Sequence, residues 1–521
     1  MQKKRTFHLR RARRLVFASV LLALVFPLSG CQVQPQPFSV EETSIAGIHA
    51  AYESGQLTSR QLVQLYLDRI EAYDKNGPRI NSIITVNPEA LEEADRLDAA
   101  FGTSGFVGPL HGIPVLVKDM IDAEGMPTTM GSILFKDYYP DEDALVVEKL
   151  KSAGAIILAK VTLAEFARGD TYGSLYGETR NPYDLERTVG GSSGGSAASV
   201  SANFGAVAVG QEGFASIRRP SAWNSIVGIR ATTGLVAGSL GPMTRTVEDA
   251  ARLLGVLVGY DPADSQSAFG VGEVPPGGYT QFLDSNSLQG ARIGVLRESM
   301  GVDSEPDTDD FRKVTEVFDR AIGELQTAGA EVVDPITIPN LTKALATRAN
   351  RPSGGGGGGG GGFGGYNGAN ATAPFVSRAE MEQSPEYQQV FPWVRDRIAR
   401  PQLNYYEYLL ARQDLRASIM TLMADERLDA IVYKSVEHQP LLIADGIQPP
   451  YPNMRGTPHL NTFIGNVPAL SVPAGFSTDN LPVGITFQGR PYGEGALIGL
   501  AYAYEQATHH RTPPATTVGS Q

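Results

Sequence analysis

The 521-residue chain has a single cysteine, Cys31, so no intramolecular disulfide can form. Its seven histidines (His8, His49, His111, His438, His459, His509 and His510) show no metal-ligand spacing, and no metal site is expected. Fifty-eight glycines yield neither a Walker nor a Rossmann pattern, and no cofactor is expected. Solenoid-type repeats are also absent. Acid is missing from the first 30 residues, which carry seven lysines and arginines. The remainder is therefore more acidic than the −12 of the whole chain. A body of that charge repels phosphates, which argues against a nucleic-acid partner. What is present is a globular composition, 42% hydrophobic and 19% charged, with enough apolar residues for a sizeable core. The length allows two or three ordinary domains or one large α/β unit.

The basic start precedes Leu15–Leu28, an apolar stretch too short to make a good permanent membrane span. It runs into Leu28-Ser29-Gly30-Cys31, which resembles the lipobox of bacterial lipoproteins. That resemblance implies removal of residues 1–30 and acylation of the Cys31 thiol. The protein would then be tethered in the bacterial cell envelope, outside the cytoplasm; a plain secretory signal is the alternative. Residues 31–40 are rich in Gln and Pro and read as a tether, leaving 41–521 as the folded domain. Within it, 353–373 is a glycine-rich insertion for which no packed structure is expected.

Helical periodicity marks Thr58–Tyr73, with Thr58 as cap, Gln61 completing a capping box, and Leu62, Leu65, Tyr66 and Ile70 as the apolar stripe. Pro88–Ala100, Ala144–Ala153 and Asp309–Ala328 read as further helices. Ile113–Val117 and Ala155–Leu158 read as buried strands, and Gly290–Glu298 as the start of another. Alternation of this kind favours an α/β sheet with helices on both faces.

The stretch Gly190–Pro220 reads GGSSGGSAASVSANFGAVAVGQEGFASIRRP. Ala197, Ala198, Val200 and Phe204 keep roughly helical spacing, and Ala206–Val209 suits a buried strand, so this is not a flexible linker. The expectation is a serine-bearing loop, a helix, a strand and a second serine-bearing loop. This stretch resembles the signature region of the amidase signature enzymes, whose pattern runs GGSSGGS to GGSIRxPA. Gly108–Asp119, GPLHGIPVLVKD, resembles the same family's lysine motif. Thr162–Phe166, Thr179–Leu185, Ser239–Val258 (as the following helix), Asn461–Tyr492 and Ala501–Pro513 (as the last helix) fit the family's remaining pattern.

The resemblance implies the amidase signature fold, one large mixed β-sheet with helices on both faces. It also implies a Ser–Ser–Lys triad that hydrolyses a small amide through a serine acyl-enzyme. Carried over residue by residue, the lysine is Lys118, the relay serine after a cis peptide bond is Ser192, and the nucleophile is Ser216. Ser192 and Ser216 lie 24 residues apart, and Lys118 lies 74 before Ser192, as in the family. The backbone N–H groups of Gly213, Phe214, Ala215 and Ser216 would form the oxyanion hole. The chemistry is consistent with these residue types: a serine hydroxyl needs an activating base, and a lysine acts as one only when burial keeps it neutral. Lys118, at the end of an Ile/Val/Leu strand, is placed for that burial. Ser216 is also suited to cap a helix from Ile217 onward.

The chain departs from the family at Phe214-Ala215, where Gly-Gly is usual, and at Gln211-Glu212, which replaces Thr-Asp. Thr233–Leu240 is shorter than the family's loop. These departures motivate an alternative, a non-catalytic lipid-anchored binding protein on an amidase scaffold. Gly191–Gly195 also fits a G-x-S-x-G elbow with Ser193 as nucleophile. That motif needs a preceding strand, and Asn181–Val189 reads as polar and turn-rich.

Overall fold

The computed structural model describes residues 38–350, 374–375, 378–399 and 404–518. The chain separates into two units, Met1–Phe38 and Ser39–Gln521, and every element named below lies in the second. The 1–30 leader, Cys31, most of the 31–40 tether and the 353–373 tract lie outside the described residues.

Eleven strands form one mixed sheet: β1 (Ile83–Val86), β2 (Pro114–Lys118), β3 (Ile156–Val161), β4 (Val207–Gln211), β5 (Val227–Arg230), β6 (Leu240–Thr244), β7 (Arg292–Leu296), β8 (Glu331–Ile336), β9 (Ala430–Lys434), β10 (Ala469–Phe476) and β11 (Pro482–Gln488). Their order is β1-β3-β2-β4-β6-β5-β10-β11-β9-β7-β8. The β3-β2-β4 and β9-β7-β8 groups are parallel, and the remaining neighbours run antiparallel. Every residue of β2, β3 and β4 is buried. That is why their sequences are near-continuous runs of Val, Ile, Leu and Ala: strands covered on both faces need no polar alternation.

The capping box at Thr58 is present. Gln61 N–H donates to Thr58 Oγ1 at 3.2 Å, and Thr58 N–H donates to Gln61 Oε1 at 3.0 Å. The helix runs Ser59–Arg69 and continues as a π-helical turn, Ile70–Lys75. The expected helices at 88–100, 144–153 and 309–328 appear as Ala90–Ser104, Leu145–Ser152 and Asp309–Thr327. Three expectations need correction. Ser239–Val258 is not one helix, because its first part forms β6 and only Val247–Leu257 is helical. Gly241 and Pro242 hide that strand in sequence, although their backbones pair with β4. The polar stretch before the serine loop does contain a strand, Asp184–Thr188, but it belongs to a two-stranded hairpin with Arg180–Asn181. The last helix begins earlier than expected and spans Glu494–Thr508.

The helix Gly194–Ser201 packs on β2, β3, β4 and β6 with all eight residues buried. Only small side chains permit that approach. A Cβ at Gly195 would stand 2.4 Å from the backbone N and O of Thr162. The close packing sets the helix's N-terminal loop against the C-terminal ends of β2 and β4.

Candidate active site

Lys118 is the last residue of β2 and is fully buried. Its Nζ donates to Ser192 Oγ at 2.7 Å and to the Gln211 carbonyl, at the end of β4, at 3.3 Å. Burial holds the amine well below the ordinary lysine range, against the opposing field of Glu212. The peptide bond between Gly191 and Ser192 is cis. Three successive carbonyls of this loop are each held by a donor. Gly190 O accepts from Thr171 N–H at 2.9 Å and Thr171 Oγ1 at 2.7 Å. Gly191 O accepts from Arg219 Nη2 at 3.1 Å, and Ser192 O accepts from Ala164 N–H at 3.0 Å.

Ser216 sits beside this loop: its carbonyl accepts from Ser193 N–H at 3.1 Å. The residue is half-buried, and among the described residues its hydroxyl makes no hydrogen bond, to Ser192 or to any other group. It does not cap the following helix, Arg218–Trp223, as the sequence led one to expect. Glu212 takes that place. Its Oε2 accepts from Ile217 N–H and Arg218 N–H, both at 2.9 Å, and its Oε1 accepts from Arg218 Nε at 2.9 Å and Nη2 at 2.6 Å. A carboxylate suits the unsatisfied N–H groups at a helix start. Because Glu212 supplies it, the Ser216 side chain is left uncommitted. Arg218 continues to Tyr433 Oη at 2.8 Å, which in turn donates to Asn461 Oδ1 at 2.9 Å.

The backbone N–H groups of Gly213, Phe214, Ala215 and Ser216 donate no hydrogen bond among the described residues. Those of Ile217 and Arg218, next in the chain, are both spent on Glu212. Four unspent donors thus lie beside a half-exposed serine. Ser193, the alternative nucleophile, is fully buried and its hydroxyl is tied to the Gln211 backbone, accepting from N–H at 3.1 Å and donating to O at 3.2 Å. Of the histidines the elbow would need as a partner, His438 pairs with Asp310 at 2.6 Å and His510 with Glu324 at 2.7 Å.

Sequence reasoning did not anticipate what Glu212 does, nor the second buried ion pair beside it. In that pair Arg219 Nη2 lies 2.6 Å from Asp170 Oδ1, and the same guanidinium reaches Gly191 O. The adjacent arginines in SIRRP were the available signal, since two consecutive charges inside an apolar segment need buried partners.

The family model described as Amidase matches residues 61–498. The chain belongs to the amidase family. It is an amide-hydrolysing enzyme with the amidase signature fold. The peptide amidase of Stenotrophomonas maltophilia superposes with a TM-score of 0.79 at 34% identity, covering 92% of this chain and 100% of that one. An amidase family protein from Bacillus anthracis gives a TM-score of 0.76 at 28% identity, covering 91% and 92%. A probable amidase of Arabidopsis thaliana is 32% identical over 92% of this chain and 92% of that protein.

Replacing Glu212 with Gln strands the buried Arg218 charge and should cost about 3–5 kcal/mol, read as a lowered urea midpoint. Glu212→Asp keeps the charge and should lose much less. Equal midpoints for wild type and Glu212→Gln would show that the pair does not hold this loop.

Proposed function

We propose that this amidase works through Lys118, Ser192 and Ser216 as a proton relay ending in an acyl-enzyme. The observation that carries the reading is the 2.7 Å contact between a fully buried Lys118 amine and the Ser192 hydroxyl. Neutral Lys118 takes the Ser192 proton as Ser192 takes the proton of Ser216. Ser216 Oγ then bonds to the amide carbonyl carbon, and the negative charge that moves onto the carbonyl oxygen is met by the N–H groups of 213–216. Collapse breaks the C–N bond. The relay reverses, and its proton goes to the leaving nitrogen. A water molecule then gives its proton to the same relay and attacks the acyl-serine, releasing the acid and restoring Ser216. The peptide amidase among the structural neighbours makes a peptide amide the first substrate to assay.

A lysine is a base only when unprotonated, so the rate falls as pH drops through the Lys118 pKa. Since burial lowers that pKa, the acid limb of kcat/KM should lie well below the ordinary lysine value of about 10.4. Lys118→Ala should reduce turnover by about 10²–10⁴-fold without loss of fold. Lys118→Arg, which keeps its charge at every working pH, should be as inactive. Near-normal ammonia release from either variant rules out the relay.

We further propose that the leader is removed before Cys31 and that acylated Cys31 tethers the enzyme in the cell envelope. The lipobox-like Leu28–Cys31 supports this reading. Cys31→Ala should move the activity from the membrane fraction to the soluble one; activity that stays membrane-bound would refute the tether.

A further inference from the structure

Phe214 stands where the family pattern has glycine, on the loop whose N–H groups are unspent. Its ring does not stand alone. The Arg348 guanidinium lies over it, 4.1 Å from Cζ to the ring centroid. Arg348 belongs to a 3-10 turn, Thr347–Asn350, directly after the helix Leu341–Ala346. That helix is anchored: Leu341 is buried in a cluster with Tyr408, Leu415 and Ile419, and Ala344 and Leu345 pack against the same cluster. Thr347 Oγ1 donates back to Ala344 O at 2.7 Å, fixing the turn to the helix. The guanidinium is thus delivered from a packed element. Its charge is also felt nearby, where burial and then Arg348 push the His459 imidazole down to about 4.

The loop backbone is held through its later carbonyls, where Ala215 O accepts from Arg219 N–H at 2.9 Å and Ser216 O from Ser193 N–H at 3.1 Å. Glu212 and Arg218 hold its two ends, and Arg218 Nη2 reaches Phe214 O at 3.5 Å. Among the described residues nothing binds the N–H groups of 213–216 or the carbonyls of Glu212 and Gly213, so the peptide planes carrying the Gly213 and Phe214 N–H groups depend on the side chains of the loop. Ala215 is buried and contributes a methyl group. Phe214 is the one large side chain there, and a cation over an aromatic face is a directional contact.

We propose that Phe214 and Arg348 form a clamp that aims the oxyanion-binding N–H groups, making both positioning residues for amide hydrolysis. This rests on the assignment of Ser216 as nucleophile. The clamp acts on the transition state, in which the carbonyl oxygen carries charge, more than on substrate binding, so its loss appears in kcat.

The test is a double-mutant cycle on the full-length enzyme, with ammonia release from an N-acetylated dipeptide amide as the rate. Arg348→Met and Phe214→Leu should each lower kcat by about three- to tenfold with KM nearly unchanged, the rate equivalent of one cation–π contact. The double variant should be no slower than either single one. Arg348→Lys and Phe214→Tyr, which keep a cation and a ring, should recover most of the loss. Three results overturn the clamp: Arg348→Met with wild-type kcat, an Arg348→Met effect of full size in the Phe214→Leu background, or a loss confined to KM. Labelling with a fluorophosphonate probe separates this from failure of the underlying assignment. Wild-type enzyme that hydrolyses the amide but is not labelled at Ser216 removes both, whereas Ser216 labelling with an additive cycle removes only the clamp.

Discussion

An ammonium group buried without a carboxylate is among the most unfavourable arrangements a protein can hold, and the site is built around a lysine in that position. Lys118 and Lys160 are both fully buried on adjacent parallel strands, where Lys160 pairs in register with Val117. Lys160 has an acid 3.6 Å away in Asp119 and donates to Ile121 O and Thr128 Oγ1. Lys118 has, among the described residues, only a hydroxyl and one carbonyl. The two lysines differ little in burial and greatly in partners. Burial pushes both amines down, but Asp119 and Asp122 oppose the shift at Lys160, which ties down the chain after β2, whereas at Lys118 burial meets only the field of Glu212 and the neutral form is favoured.

Around that amine, two loops from distant parts of the chain must meet, and a single dipeptide joins them. Arg218 takes Glu212 and so fixes the turn carrying Ser216, while Arg219 takes Asp170 and the Gly191 carbonyl and so fixes the turn carrying Ser192. Both arginines lie on one six-residue helix, so a shift of that helix moves both serine loops together. Buried ion pairs of this kind add little net stability, and their value lies in geometry. Here they set the relative placement of two hydroxyl groups without using either hydroxyl as a structural bond.

The parts of this arrangement legible in sequence were those with local causes. The Thr58–Gln61 box, the apolar run of β2 ending in Lys118 and the small-residue helix after Ser193 each follow from a few neighbouring residues, and each appears where the pattern put it. Strand β6 was missed because glycine and proline disguise it, and it is held in the sheet by neighbours that are not local. Sequence offers Ser216 as one candidate cap for the 218–223 helix, whereas the acceptor is an acid four residues earlier that folds back over the turn. Glu212 looked like a simple substitution within a motif. Its role depends on Arg218, Tyr433 and Asn461 converging from separate elements, which no window along the chain reveals.

The measurement that reaches the central claim most directly is the titration of the Lys118 amine itself, by heteronuclear NMR on lysine-labelled enzyme with the Lys118→Arg variant for assignment. The account predicts that this amine loses its proton at a pH well below that at which the exposed lysines titrate. A Lys118 signal that stays charged up to the pH at which those exposed lysines titrate would contradict it.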